Sequence, residues 1–138
     1  MGGKSSGVFI SLNCGPGSSD NKNNILKNLN VVSKKINIKS KKIFLLNQIH
    51  GDKFFFIDKN LKLKNNKFDG DALITNKRNI PIAVLTADCA PILIYDKNKK
   101  MVAAIHAGWK GAYKDIIKKV TRFMIKKCCS PTDITAVI

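Results

Sequence analysis

The chain has 138 residues, 44% of them hydrophobic, which is enough for one compact domain with a real core and too little to suggest two. No run approaches the roughly 20 uninterrupted apolar residues of a membrane helix, and the start MGGKSSGVFISLN lacks the order of a signal peptide, so the expectation is a cytoplasmic protein with no membrane role. The formal charge of +16 would ordinarily point to nucleic acid, yet 23 of the 25 basic residues are Lys, scattered among 14 Asn and 18 Ile, and the arginine fork that favours groove and phosphate recognition is confined to Arg78 and Arg122.

That composition argues against a specific nucleic-acid partner, while a basic surface still attracts anionic small ligands. Cys14, Cys89, Cys128 and Cys129 are too few for a disulfide scaffold, and no CxxC pair is present. Any metal site must therefore be assembled from distant positions.

In chain order, Val8 to Leu12 reads as a strand-like segment leading into a Gly-Pro-Gly turn at Gly15 to Gly17. Ser19 or Asp20 is placed to cap a helix over 21–36, whose apolar stripe is Ile25, Leu26, Leu29, Val32 and Ile36. IFLLNQIH ending at His50 and FFFID read as two strands; the polar stretch 58–67 reads as a loop or exposed hairpin. FDGDALIT and IPIAVLTAD are the next two predicted strands. PILIYD and MVAAIH form a pair closed by the DKNKK turn.

After Gly108 and Gly111 the period changes to that of a helix, about 111 to 128, with Ala112, Ile116, Val120 and Met124 on one stripe. Ser130 and Pro131 end it, and DITAVI begins a strand. The pattern predicts an α+β domain with a mixed or antiparallel sheet covered by helices. Residues 1–138 read as a single domain, expected to be incomplete at the C-terminus and slightly at the N-terminus. The sequence does not specify an oligomeric state.

Candidate chemistry concentrates at three run ends. Cys89 and His106 close neighbouring apolar runs that a hairpin would bring to a common sheet edge, and His50 ends a run in the same way. His, Cys and His without a fourth ligand match a catalytic zinc site that keeps one position open. The competing reading is a Cys89 thiolate activated by His106, with Asp88 or Asp71 orienting the ring, which requires no His50. Asp71 is also a candidate general acid or base, or an anchor for substrate hydroxyls. Asp88 is a candidate to orient a ligand histidine, Trp109 to stack on a purine, and Lys110 to hold phosphate.

The segments that carry these residues resemble a known family. GG-S-G at Gly2, Gly3, Ser5 and Gly7, SLN at Ser11 to Asn13, Gln48-Ile49-His50-Gly51, DALIT at Asp71 to Thr75, TADCAP at Thr86 to Pro91 and HAGWKG at His106 to Gly111 are similar, in order, to the motifs of the multicopper polyphenol oxidase or laccase domain family. Its members are now regarded as purine nucleoside phosphorylases with adenosine deaminase activity. The resemblance implies a zinc ion, or copper, on His50, Cys89 and His106. Cys89, Asp71 and Asp88 remain the candidate catalytic residues, and Gln48, Trp109 and Lys110 the candidates at the purine nucleoside and phosphate.

It further implies phosphorolysis of adenosine, inosine and methylthioadenosine, hydrolytic loss of the adenosine amino group, and an α+β sandwich fold. A similar arrangement in a bacterial toxin deamidase keeps a metal-independent Cys-His amidohydrolase open, as does a non-catalytic ligand-binding remnant. Three ligands for one ion do not supply the several coppers of a multicopper oxidase. The chain departs from the family pattern at Lys110, where an arginine is usual, and at Asn28-Leu29, where an asparagine-arginine pair is usual. It is also expected to begin inside the first conserved segment and to stop before a glycine-proline motif, the basis for expecting truncation.

Overall fold

The computed structural model describes residues 2–37, 43–58 and 68–138; the rest of the predicted polar loop lies outside them. Contacts divide the chain into two compact units, Met1–Phe44 and Leu45–Ile138.

The first unit is organised by a buried asparagine. The helix α1 spans Lys22–Lys35, close to expectation, but its buried positions include Asn28 and Ser33 beside Ile25, while Leu26 and Ile36 of the predicted stripe are exposed. Asn28 explains the change. Its Nδ2 donates to Ser5 Oγ at 2.9 Å, Asn13 O at 2.8 Å and Ser11 O at 3.3 Å, and its Oδ1 accepts from Lys4 N at 2.6 Å.

The amino-terminal segment is thus folded back onto a polar helix face through hydrogen bonds that a strand would have used elsewhere. Val8 to Leu12 is accordingly no strand: Gly7–Phe9 forms a 3-10 turn, flanked by a bridge between Ser5 and Ser11. Asn21, not Ser19 or Asp20, caps α1 by accepting from Asn23 N at 2.9 Å. The Asp20 carboxylate is already engaged by the Ser5 hydroxyl, Asn13 and Asn21 N, and those hydrogen bonds, with Ser5 foremost, hold its pKa below the usual value.

The second unit contains β1 (Phe54–Ile57), β2 (Ala72–Thr75), β3 (Ala90–Asp96), β4 (Met101–Ala107), α2 (Trp109–Tyr113), α3 (Ile116–Lys126) and β5 (Ile134–Val137). The strands form one mixed sheet in the order β1-β2-β4-β3-β5. β1 and β2 are parallel and the remaining pairs antiparallel. The described residues therefore build a single sheet with helices in place of the sandwich implied by resemblance.

Two predicted strands dissolve. IFLLNQIH contributes isolated bridge positions at Phe44 and at Asn47, the latter parallel to Asp69, and IPIAVLTAD is irregular apart from a bridge position at Ile82. Ile49, His50 and Leu85 of these runs bond side chains near the site described below, while Asn47 pairs through its backbone with Phe68 and Gly70.

The predicted hairpin is present. Asp96 pairs with Met101 at its closed end, and Asp96 Oδ1 accepts from Asn98 N at 2.9 Å and Lys99 N at 2.6 Å, an arrangement that fixes the turn through local side-chain bonding. β3 buries Ile92, Ile94 and Asp96 and exposes the residues between them, as a half-covered strand should. Central β4 is buried at six of its positions, Val102 being the exception.

Helix α3 covers one face. Ile116, Val120 and Met124, at four-residue spacing, are each 0% exposed and pack with Ala72, Ile74, Ile92 and Ile105; burying each contributes roughly 1.5–3 kcal/mol. The predicted continuous helix is broken at Asp115, whose backbone is left-handed with φ 61°. Aspartate tolerates that region, and the break frees α2 to follow the site loop while α3 lies on the sheet.

Cys129, in the core at 4% exposure, sits with its Sγ 3.9 Å from Met101 Sδ. Burial, then the neighbouring Asp96 carboxylate, pushes its thiol up to about 11. Because the folded value lies above the roughly 8.5 of an unfolded cysteine, its contribution to stability is complete below about pH 8.5 and is lost as pH rises through 11. Native protein treated with iodoacetamide at pH 8 is expected to be modified at exposed Cys128 and spared at Cys129. Equal labelling of the two in a peptide mass map would contradict this packing.

Candidate metal centre

His106 occupies central β4, where antiparallel pairing sets it opposite Pro91 and sets Ala107 opposite Ala90. Cys89 immediately precedes Ala90, so this register delivers its thiol to the same end of the hairpin. His50 arrives from the loop after Asn47, with its backbone left-handed at φ 55°. The ligand atoms of His50, Cys89 and His106 all lie within 4.8 Å of one another. The two imidazoles meet edge to face, centroids 4.7 Å apart and planes at 81°.

Asp71 builds this cluster. Its side chain is 0% exposed, and Oδ1 accepts from His50 N at 3.0 Å while lying 2.8 Å from His106 Nδ1. Oδ2 accepts from Gly51 N at 2.7 Å, with Ile49 N at 3.4 Å. One carboxylate therefore replaces the strand ladder for residues 49–51 and stabilises the left-handed turn at His50. A carboxylate on Nδ1 also selects the tautomer that leaves His106 Nε2 as the metal-facing atom. Both oxygens of Asp71, the candidate proton exchanger or hydroxyl anchor, are enclosed and bonded to these groups.

The residues fit a metal ion. Ordinary zinc–nitrogen and zinc–sulfur lengths of about 2.0–2.3 Å place tetrahedral donors roughly 3.3–3.8 Å apart, so the three would draw together by about an ångström. Gly108 leaves the space: a Cβ there would lie 3.0 Å from His50 Cδ2 and 3.1 Å from Cys89 Sγ. Gly111 does the same one turn on, where a Cβ would meet Gly51 O at 2.7 Å. His106 is buried, Cys89 half-buried and His50 exposed, which opens the cluster on the His50 side, as a catalytic rather than a closed structural site requires. Gly108→Ala is expected to weaken zinc binding about 10-fold without unfolding the chain; unchanged affinity in a competition titration would show that the spacing is not needed.

The other predicted residues divide. Asp88 is exposed beside Cys89 and does not hold a histidine; Asp71 has that role. Gln48, expected at substrate or phosphate, instead has both ends of its amide on Leu85: Nε2 donates to Leu85 O and Oε1 accepts from Leu85 N, each at 2.7 Å. Trp109 is 75% exposed on the short helix that starts beside the cluster, and Lys110 Nζ lies 5.4 Å from its ring centre. A signal for Asp71 was available, since a carboxylate heading the buried run Ala72–Thr75 must find donors.

The whole chain, residues 1–138, matches the model of the family described as multi-copper polyphenol oxidoreductase laccase. The chain belongs to that family. A Clostridium acetobutylicum protein named purine nucleoside phosphorylase is 44% identical over 94 residues, covering 67% of this chain and 38% of its own length. A Corynebacterium glutamicum protein of the same name is 31% identical over 137 residues, covering 99% of this chain and 56% of that one. The crystal structure of the hypothetical protein YfiH of Bacillus licheniformis superposes with a TM-score of 0.89 at 27% identity, covering 98% of this chain and 53% of that one. The chain spans about half the length of the curated relatives it matches. None of the described helices is long and apolar enough to cross a membrane.

Proposed function

We propose that this laccase-family chain carries the metal-binding centre of a purine nucleoside phosphorylase acting on adenosine, inosine and methylthioadenosine, with adenosine deamination as a second reaction. The observation that carries the reading is the open His50, Cys89 and His106 cluster, in a chain whose relatives are named purine nucleoside phosphorylases. Zinc is the ion proposed, with copper as the alternative, since both accept imidazole and thiolate donors. When bound, the ion would supply Lewis acidity at the exposed side of the cluster.

In phosphorolysis a phosphate oxygen bonds to the ribose anomeric carbon as the bond from that carbon to the purine nitrogen breaks, and the base leaves with a proton. Lys110 holds the phosphate by charge, more loosely than the bidentate arginine usual in the family. Trp109 offers its exposed face to the purine. Asp71 keeps His106 and the His50 loop in place, and we assign proton exchange to exposed Asp88. In deamination, water adds at the purine carbon bearing the amino group and ammonia departs.

A second reading draws on one specific feature. Asp71, His106 and Cys89 stand in the order of an acid, base and thiol relay, so a metal-independent Cys-His amidohydrolase uses the same atoms without His50. Incubating zinc-loaded and metal-free protein with adenosine, with and without phosphate, and separating the products by chromatography tests both. Phosphate-dependent release of adenine supports the phosphorylase, and phosphate-independent formation of inosine the deaminase. No release of base or ammonia from protein with a full metal complement would overturn the enzymatic reading.

A further inference from the structure

We propose that Gln48 is a positioning residue of the metal centre, its side-chain amide locking the segment that delivers Cys89 against the loop that delivers His50. The inference rests on the metal reading above and adds a residue to it. Residues 83–88, leading into Cys89, form no strand, although a ligand thiol must be held to a fraction of an ångström. Among the described residues, the hydrogen bonds that hold this stretch come from a side chain and not from a ladder. The Gln48 amide makes both hydrogen bonds of a strand pair with Leu85, at 2.7 Å each, four residues before Cys89 and two before His50.

The loop on the Gln48 side is itself fixed, since Asp71 accepts from His50 N and Gly51 N. Asp71 thus places His106 and the His50 loop, and Gln48 extends that frame to the remaining ligand. Alanine would remove both bonds and leave the Leu85 N–H and C=O without these partners. Gln48→Glu, of equal size, keeps the acceptor for Leu85 N but sets a second oxygen against Leu85 O in place of the donor.

The test is cobalt(II) titration of the full chain, reading affinity and the sulfur-to-cobalt charge-transfer band, with amide hydrogen exchange at Leu85 read in parallel. For Gln48→Ala the expected results are affinity lowered about 10- to 100-fold, a weakened sulfur band at saturation, and faster exchange at Leu85. Gln48→Glu is expected to lie in the same direction and replaces the alanine variant if that one fails to fold. A folded variant that binds cobalt with wild-type affinity and an undiminished sulfur band would overturn the positioning role while leaving the metal reading intact. Wild-type protein that binds no cobalt would instead overturn the metal reading and this inference with it.

Discussion

Asp71→Ala is expected to lose about 3–5 kcal/mol of folding stability and most of the zinc affinity. The stability loss follows from counting donors. The carboxylate, wholly enclosed, serves His50 N, Gly51 N and His106 Nδ1, and a buried donor stripped of its acceptor costs about 1–3 kcal/mol. The metal loss follows from geometry. Without Asp71 neither the tautomer of His106 nor the left-handed backbone of His50 is specified, and removing such a partner ordinarily weakens a metal site 10- to 100-fold.

Asp71→Asn separates the two contributions. It retains one acceptor oxygen but turns an amide NH2 toward either the imidazole or the Gly51 N–H, so an intermediate stability loss, about 1–3 kcal/mol, is expected with impaired metal binding. Urea unfolding and zinc competition measure both quantities. Full metal affinity in either folded variant would remove Asp71 from the account.

His50→Ala is expected to leave stability within about 1 kcal/mol of the native value, because the side chain is exposed, while lowering zinc affinity at least about 100-fold. Turnover of nucleoside should fall with it. The contrast with Asp71 is informative, since one variant removes a ligand and the other its frame. A Cys89-His106 thiol mechanism makes the opposite forecast: it has no use for His50, so undiminished turnover in metal-free His50→Ala protein would favour the amidohydrolase.

Two of the elements that sequence periodicity revealed have hydrogen bonds that stay local or pair with the nearest strand. The Ile116, Val120 and Met124 stripe is fully buried, and the β3–β4 hairpin lies where PILIYD and MVAAIH placed it. The two dissolved strands share one cause. IFLLNQIH and IPIAVLTAD are as apolar as strands, but residues 49–51 give their N–H groups toward the Asp71 carboxylate and Leu85 bonds the Gln48 amide. No local pattern announces a side chain that stands in for a ladder.

The same holds for the helix face that turned out polar, since Asn28 is buried to bind the segment folded onto it. For the site, the identities of Cys89, His106 and His50 were legible from their places at run ends beside Gly or Pro. Which of two nearby aspartates serves the ring was not: Asp71 and Asp88 both neighbour apolar runs, and the choice depends on which one the fold buries.

Metal content tests the central claim most directly. Protein loaded with excess zinc, freed of loose ion by gel filtration, shown to be folded by circular dichroism and assayed by elemental analysis should retain about one equivalent per chain, and His50→Ala protein treated identically should retain almost none. Folded wild-type protein holding less than about one-tenth of an equivalent, under conditions where a three-ligand zinc site is ordinarily filled, would contradict it.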